Sequence, residues 1–453
     1  MFYHCAMTKR NWMQCFCLVW LVVLGWAGAG SAWACAICAP AAETTLISRL
    51  AVSRQVMLAR PLAAAGHFAP VVAIKGALPE PGAPALQNVV DDRPTRRGLA
   101  PLAETSKALS AKAAPENLAV LSYSALTQRW LQVADLPRDR TAWLQQIVAM
   151  PPTAQVSPAA WPARLLFFAP DLQHSAALVA QTAFEEVASA PYAVMRQAFR
   201  MPGPGIKPSA LQQAAPRSTQ LLGWLQDDEL AGRHSLYYLL LGVAADPRSV
   251  DFLTQNLTRV VAAGASRAAR ASQPAQGVTA SAAGFSAADV SAQLAALMEI
   301  RGAGVLPWVE QNFLTHTQSV SAAQSPEAQR QSMALAQAAV LALGVHGALG
   351  AGGGAAVGAV GGAASTAPAA LSTDQVVQVY ANYIRRHPEM AGLVASDLAN
   401  WEQWQFATAF AHTLQNQAQI PFASRYAMVF YLLRNPRAEA KALVEKLRAA
   451  KVI

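Results

Sequence analysis

Leu221-Leu222-Gly223-Trp224-Leu225, Asp227-Asp228, His234-Ser235-Leu236-Tyr237-Tyr238-Leu239-Leu240-Leu241 and Asp246-Pro247 follow one another in this order. Two apolar runs flank a pair of acids suited to capping. The second run closes on an aspartate and a proline, which together can open a further helix as cap and first residue. The stretch reads as helix, turn, helix, turn.

The same alternation extends in both directions from this stretch, beginning at Trp161. Upstream, Leu165-Leu166-Phe167-Phe168 leads through a break at Asp171–Ser175 to Leu178-Val179 and Ala183-Phe184. Downstream lie Val290 to Ile300, Pro307 to Leu314, Gln375 to Arg386, Ala391 to Ala399, Glu402 to Leu414, Phe422 to Leu433 and a charged segment from Pro436 to Lys451. Paired amphipathic helices at roughly 40-residue intervals predict an α-solenoid over residues 161–453. Two Ala/Gly-rich stretches, near 262–288 and 344–370, read as low-complexity inserts.

Residues 35–160 read differently. A short helical pattern at Glu43 to Ser53 precedes two strands, Gln55 to Arg60 and His67 to Gly76, around a turn at Gly66, and a third strand is expected at Leu118 to Ser122. Residues 77–116, rich in Pro, Ala and charge, are expected to form a long loop with little order. The fold class is therefore mainly α: a helical repeat domain preceded by a small β-containing N-terminal domain.

Residues 1–34 have the form of a secretory signal peptide. Lys9 and Arg10 precede an uncharged run, Cys15 to Gly30, that ends at Ala32-Trp33-Ala34. Cleavage after Ala34 would place the chain in the periplasm or outside the cell and leave Cys35 and Cys38 as the remaining thiols. A disulfide between them is the default in an oxidising compartment. A lipid anchor on Cys35, and a thiol-redox or metal-handling role for the pair, stand as alternatives.

Of the 453 residues, 53% are apolar and 13% charged, with a formal net charge of +9. The excess is dispersed, as at Arg93, Arg96 and Arg97, without the basic run or aromatic-interleaved patch of a nucleic-acid binder. Weak association with an anionic envelope or membrane surface is the expected consequence. There is no H-E-x-x-H among the histidines, no phosphate-binding loop and no G-x-S-x-G, so no catalytic residue, metal or cofactor is assigned. Glu185-Glu186 and Asp227-Asp228 read as solvated face and turn caps, and His174 as a cap. Trp401 and Trp404, in a set with Phe406, Phe410, Tyr426, Phe430 and Tyr431, read chiefly as core; any part exposed becomes a partner surface.

Leu165 to His174 with Ala190-Pro191-Tyr192, and Leu236 to Gly242, resemble exported bacterial proteins described as HEAT-repeat-like, with a C-x-x-C pair near the mature start. The resemblance covers about residues 35–76 and 160–450. It implies a scaffold or binding role toward a protein partner and carries no catalytic activity. A non-enzymatic exported interaction protein is thus the expectation, and a thiol or metal protein using Cys35 and Cys38 the alternative.

Overall fold

The computed structural model describes residues 45–77, 85–93, 117–200, 207–271, 286–315, 326–352, 371–416 and 419–453. Thr45 accepts a hydrogen bond from the Ser48 amide and opens helix α1 (Leu46–Val52). The Lys75 ammonium closes it, donating to the Ala51 carbonyl at 2.9 Å. Strands β1 (Val56–Pro61) and β2 (Phe68–Lys75) pair antiparallel around Gly66, whose φ of +73° suits a residue without Cβ. With β3 (Val90–Asp91), β4 (Asn117–Ser124) and β5 (Arg129–Pro137) they form a sheet in the order β2-β1-β4-β5-β3, with only β3 parallel to its neighbour.

Alternation along the strands gives the sheet two apolar faces. Val56, Leu58, Leu118 and Val120 join the main core, while Met57, Ala59, Ala119 and Leu121 form a smaller cluster with Phe68. Leu86, Val89 and Trp130 cover this second cluster. That cover corrects the expected loop over 77–116 at residues 85–93, which lie along the sheet because its second face has apolar surface to bury; residues 78–84 and 94–116 lie outside the described residues. Strand β5 was not anticipated, since its turn carries Gln128 at φ +51° where a glycine or asparagine would have signalled a hairpin.

Helices follow: α2 (Thr141–Ala149), α3 (Trp161–Phe168), α4 (Ala177–Ala188), α5 (Tyr192–Phe199), α6 (Ala210–Ala214), α7 (Ser218–Trp224), α8 (His234–Ala244) and α9 (Ser249–Ala271). Then come α10 (Ala287–Arg301), α11 (Leu306–Val309), α12 (Pro326–Gly352), α13 (Thr373–Arg386), α14 (Gly392–Asn400), α15 (Ala407–Asn416), α16 (Phe422–Arg434) and α17 (Ala438–Ala449). The protein is mainly helical, with a small mixed sheet near its start. Its core passes residue 160 without a gap, through Leu144, Ile147, Val156, Trp161 and Leu165. Helix α10 is buried on every side from Val290 to Ile300 and packs chiefly on α8 and α12.

The two low-complexity readings need correction where the chain is described. Residues 262–271 continue α9, and 344–352 continue α12. The glycines of the second stretch serve close packing. A Cβ on Gly344 would lie 2.7 Å from Asp397 Oδ2, on Gly347 2.3 Å from the Trp401 ring, and on Gly350 2.5 Å from Thr373 Oγ1. Gln329–Gly350 is long and apolar enough to cross a membrane by length and composition. Within the fold its faces meet α10 and α13, and its His346 is buried.

Candidate functional site

Cys35 and Cys38 lie outside the described residues. Trp401 and Trp404 are partly buried and packed between helices. The Trp401 ring stacks on Tyr380, with centroids 5.7 Å apart and planes 8° apart, and it also lies against Gly347. Trp404 lies 5.4 Å from the ring of Tyr431, itself fully buried. Both tryptophans therefore serve mainly to hold α12, α13 and α16 to the segment between α14 and α15.

The exposed part of the aromatic set lies on α16. Pro421 precedes this helix with φ −53°, and Ser424, Met428, Tyr431 and Leu432 turn inward. The outward face carries Phe422, Tyr426, Phe430 and Leu433, spaced i, i+4, i+8 and i+11, so all four project from one side. Tyr426 stacks on Phe430 with planes 12° apart, and the Arg434 guanidinium lies over Phe430 at 5.5 Å. The sequence set contained Tyr426 and Phe430 but missed Phe422 and Leu433. Because α16 is apolar on both sides, only its packing reveals which side faces out.

Three buried polar clusters were not legible as clusters. In the first, Glu185 and Glu186 correct the reading as a solvated face. Glu186 is buried and paired with Arg164, whose Nε donates to its Oε2 at 2.7 Å, while Thr153 donates to its Oε1 at 3.1 Å. Glu185 accepts from Gln181 and from the Leu46 amide, tying α4 to the start of α1. Burial raises both carboxyls above their ordinary range, against the pull of Arg164 on Glu186 and of the Gln181 hydrogen bond on Glu185. An arginine inside the apolar helix Trp161–Phe168 was the available signal, since a buried charge requires a partner.

In the second cluster Glu299 receives Arg196 at 2.6 Å and Arg200 at 2.8 Å, with Tyr192 3.5 Å away. His346 lies 3.9 Å from the same carboxylate, and its Nε2 donates to the Ala295 carbonyl. Burial lowers the His346 pKa and keeps the ring neutral. The third cluster joins Asp397 Oδ2 to the Tyr380 hydroxyl at 2.8 Å, and burial pushes Asp397 up to about 6. These groups pin helices to one another; a carboxyl near 6 is also chemically able to exchange a proton at neutral pH. Among the described residues no three His, Cys, Asp or Glu side chains stand close enough to hold a metal ion. His174 and Asp227 do cap, accepting from the amides of Ala176 and Glu229.

Set beside known proteins, the chain matches no described protein family, no curated protein and no solved structure.

Proposed function

We propose that the protein is a non-enzymatic, exported scaffold or interaction protein of the bacterial envelope, docking through the outward face of α16. The carrying observation is the row Phe422, Tyr426, Phe430 and Leu433, held outward while Tyr431 and Met428 of the same helix are buried. Exposed aromatic rows of this kind mark interaction surfaces more often than they serve the fold. Export rests on Lys9-Arg10, the apolar run and Ala32-Trp33-Ala34. The helical part belongs, in this reading, to the HEAT-like repeat scaffolds that its motifs resemble, in which stacked helix pairs leave an extended face for recognition.

The test is fractionation of cells producing the full chain or its Tyr426→Ser/Phe430→Ser variant. The intact protein should sediment with the envelope, and the variant should be released with its melting temperature unchanged. Equal sedimentation of both would defeat the reading.

A further inference from the structure

Resting on the reading that α16 is the docking face, we infer that its occupant is the surface of a bilayer rich in anionic phospholipid. Phe422, Tyr426, Phe430 and Leu433 are 84%, 64%, 43% and 54% exposed. At 1.5 Å rise per residue the row runs about 16 Å along one helix. Such a helix can lie in the plane of a membrane interface, its apolar side chains entering the boundary between headgroups and acyl chains. Aromatic rings with a polar edge, such as Tyr426, favour that depth.

Charge selects the kind of bilayer. Between residues 419 and 453, seven of the nine charged side chains are Lys or Arg, so this short segment holds more than half of the chain's net charge of +9. Arg434 stands at the end of the row over Phe430, and Arg437, Lys441, Lys446 and Arg448 are exposed on the connection and on α17, which packs against α16. Arg448 shares its charge with Glu445 at 2.7 Å, and because α17 packs against α16 the remaining cations put a net positive charge on the part of the molecule that carries the row. A folded acidic protein would need a cavity shaped to four protruding side chains and carboxylates matched to dispersed cations. Lipid headgroups rearrange laterally and meet any spacing, which suits a convex single-helix face with scattered positive charge.

Flotation of the purified protein with vesicles decides the matter. Binding is expected to vesicles containing phosphatidylglycerol, roughly tenfold weaker to phosphatidylcholine alone, and weakened again near 0.5 M salt. Phe422→Ser/Tyr426→Ser/Phe430→Ser/Leu433→Ser should lower binding by at least about tenfold without changing the melting temperature. Lys441→Glu/Lys446→Glu should reduce only the anionic preference. No binding to phosphatidylglycerol vesicles, or binding unaffected by the four serines, overturns the inference. If vesicles fail while envelope sedimentation still depends on Tyr426 and Phe430, a protein covers the face, and the docking reading survives without the lipid. A row-dependent dimer that ignores vesicles overturns the lipid assignment as well.

Discussion

Where α4 meets α1 and α3, the contact is made by charge: Glu186 sits against Arg164 and Thr153, and Glu185 holds the first amide of α1. Where α12 meets α13 and the end of α14, it is made by missing side chains: Gly344, Gly347 and Gly350 admit Asp397, Trp401 and Thr373. The first joint is specific because an unpaired buried charge is costly, so only one arrangement satisfies Arg164. The second is specific because only glycine leaves room for the facing ring and carboxyl. Both hold helices, yet they should fail differently.

The largest effect is expected at the charged joint. Glu186→Ala or Arg164→Ala should cost about 3–5 kcal/mol in denaturant unfolding, because each leaves its partner's charge buried without a countercharge. The paired replacement Arg164→Met/Glu186→Leu should cost far less than the two singles combined. Additive losses would show that charge pairing does not govern this joint.

At the glycine joint, Gly347→Ala places a methyl in the Trp401 ring and should cost about 1–3 kcal/mol. Trp401→Leu in the same chain should recover part of it. Gly223→Ala, on a helix surface with nothing within 4 Å, should instead stabilise by up to about 1 kcal/mol. Equal effects at Gly347 and Gly223 would erase the contrast.

The glycine joint also carries a pH response of its own. Asp397 rises from 3.8 to about 6 on folding, so the fold favours its neutral form. Its contribution is full below its unfolded pKa and is lost as pH rises through about 6. Asp397→Asn keeps an acceptor for Tyr380, and should raise stability near pH 8 by up to about 2 kcal/mol while flattening the slope between pH 4 and 7. Asp289, also raised to about 6 by burial, and Glu185 and Glu186, raised by burial as well, retain their share of that slope. A thermal melt series of the variant with an unchanged slope would remove Asp397 from this account.

The smallest effects separate the two faces of α16. Tyr431→Phe removes a hydroxyl that donates to the Gln403 carbonyl at 2.6 Å and should cost about 1 kcal/mol. Tyr426→Ser, on the exposed face, should change stability by less than about 0.5 kcal/mol. A larger loss at Tyr426 would mean that the outward row supports the fold.

Much of the architecture was legible locally. The turn at Gly66, the strands beside it, the break at Asp171–Ser175 and the helices from Val290, Gln375 and Phe422 all follow from spacing and turn chemistry. The joints were harder to see. Glu185-Glu186 looked solvated because neighbours on a helix point apart, and nothing local says that one of them meets Arg164. Gly344 to Gly352 looked like a linker because a glycine-rich helix and a flexible segment share a composition. Residues 85–93 looked like loop because their anchors, Met57 and Phe68, are distant in the chain.

The sequence by itself determined the helical class and the short strands near the start, because periodicity, caps and turn residues act over a few positions. Tertiary structure decided that Glu186 is an internal anchor, that Trp401 is a packing ring and that Tyr426 faces out. Burial depends on what packs against a helix, and α16, apolar on both sides, carries no local mark of which side its neighbours cover.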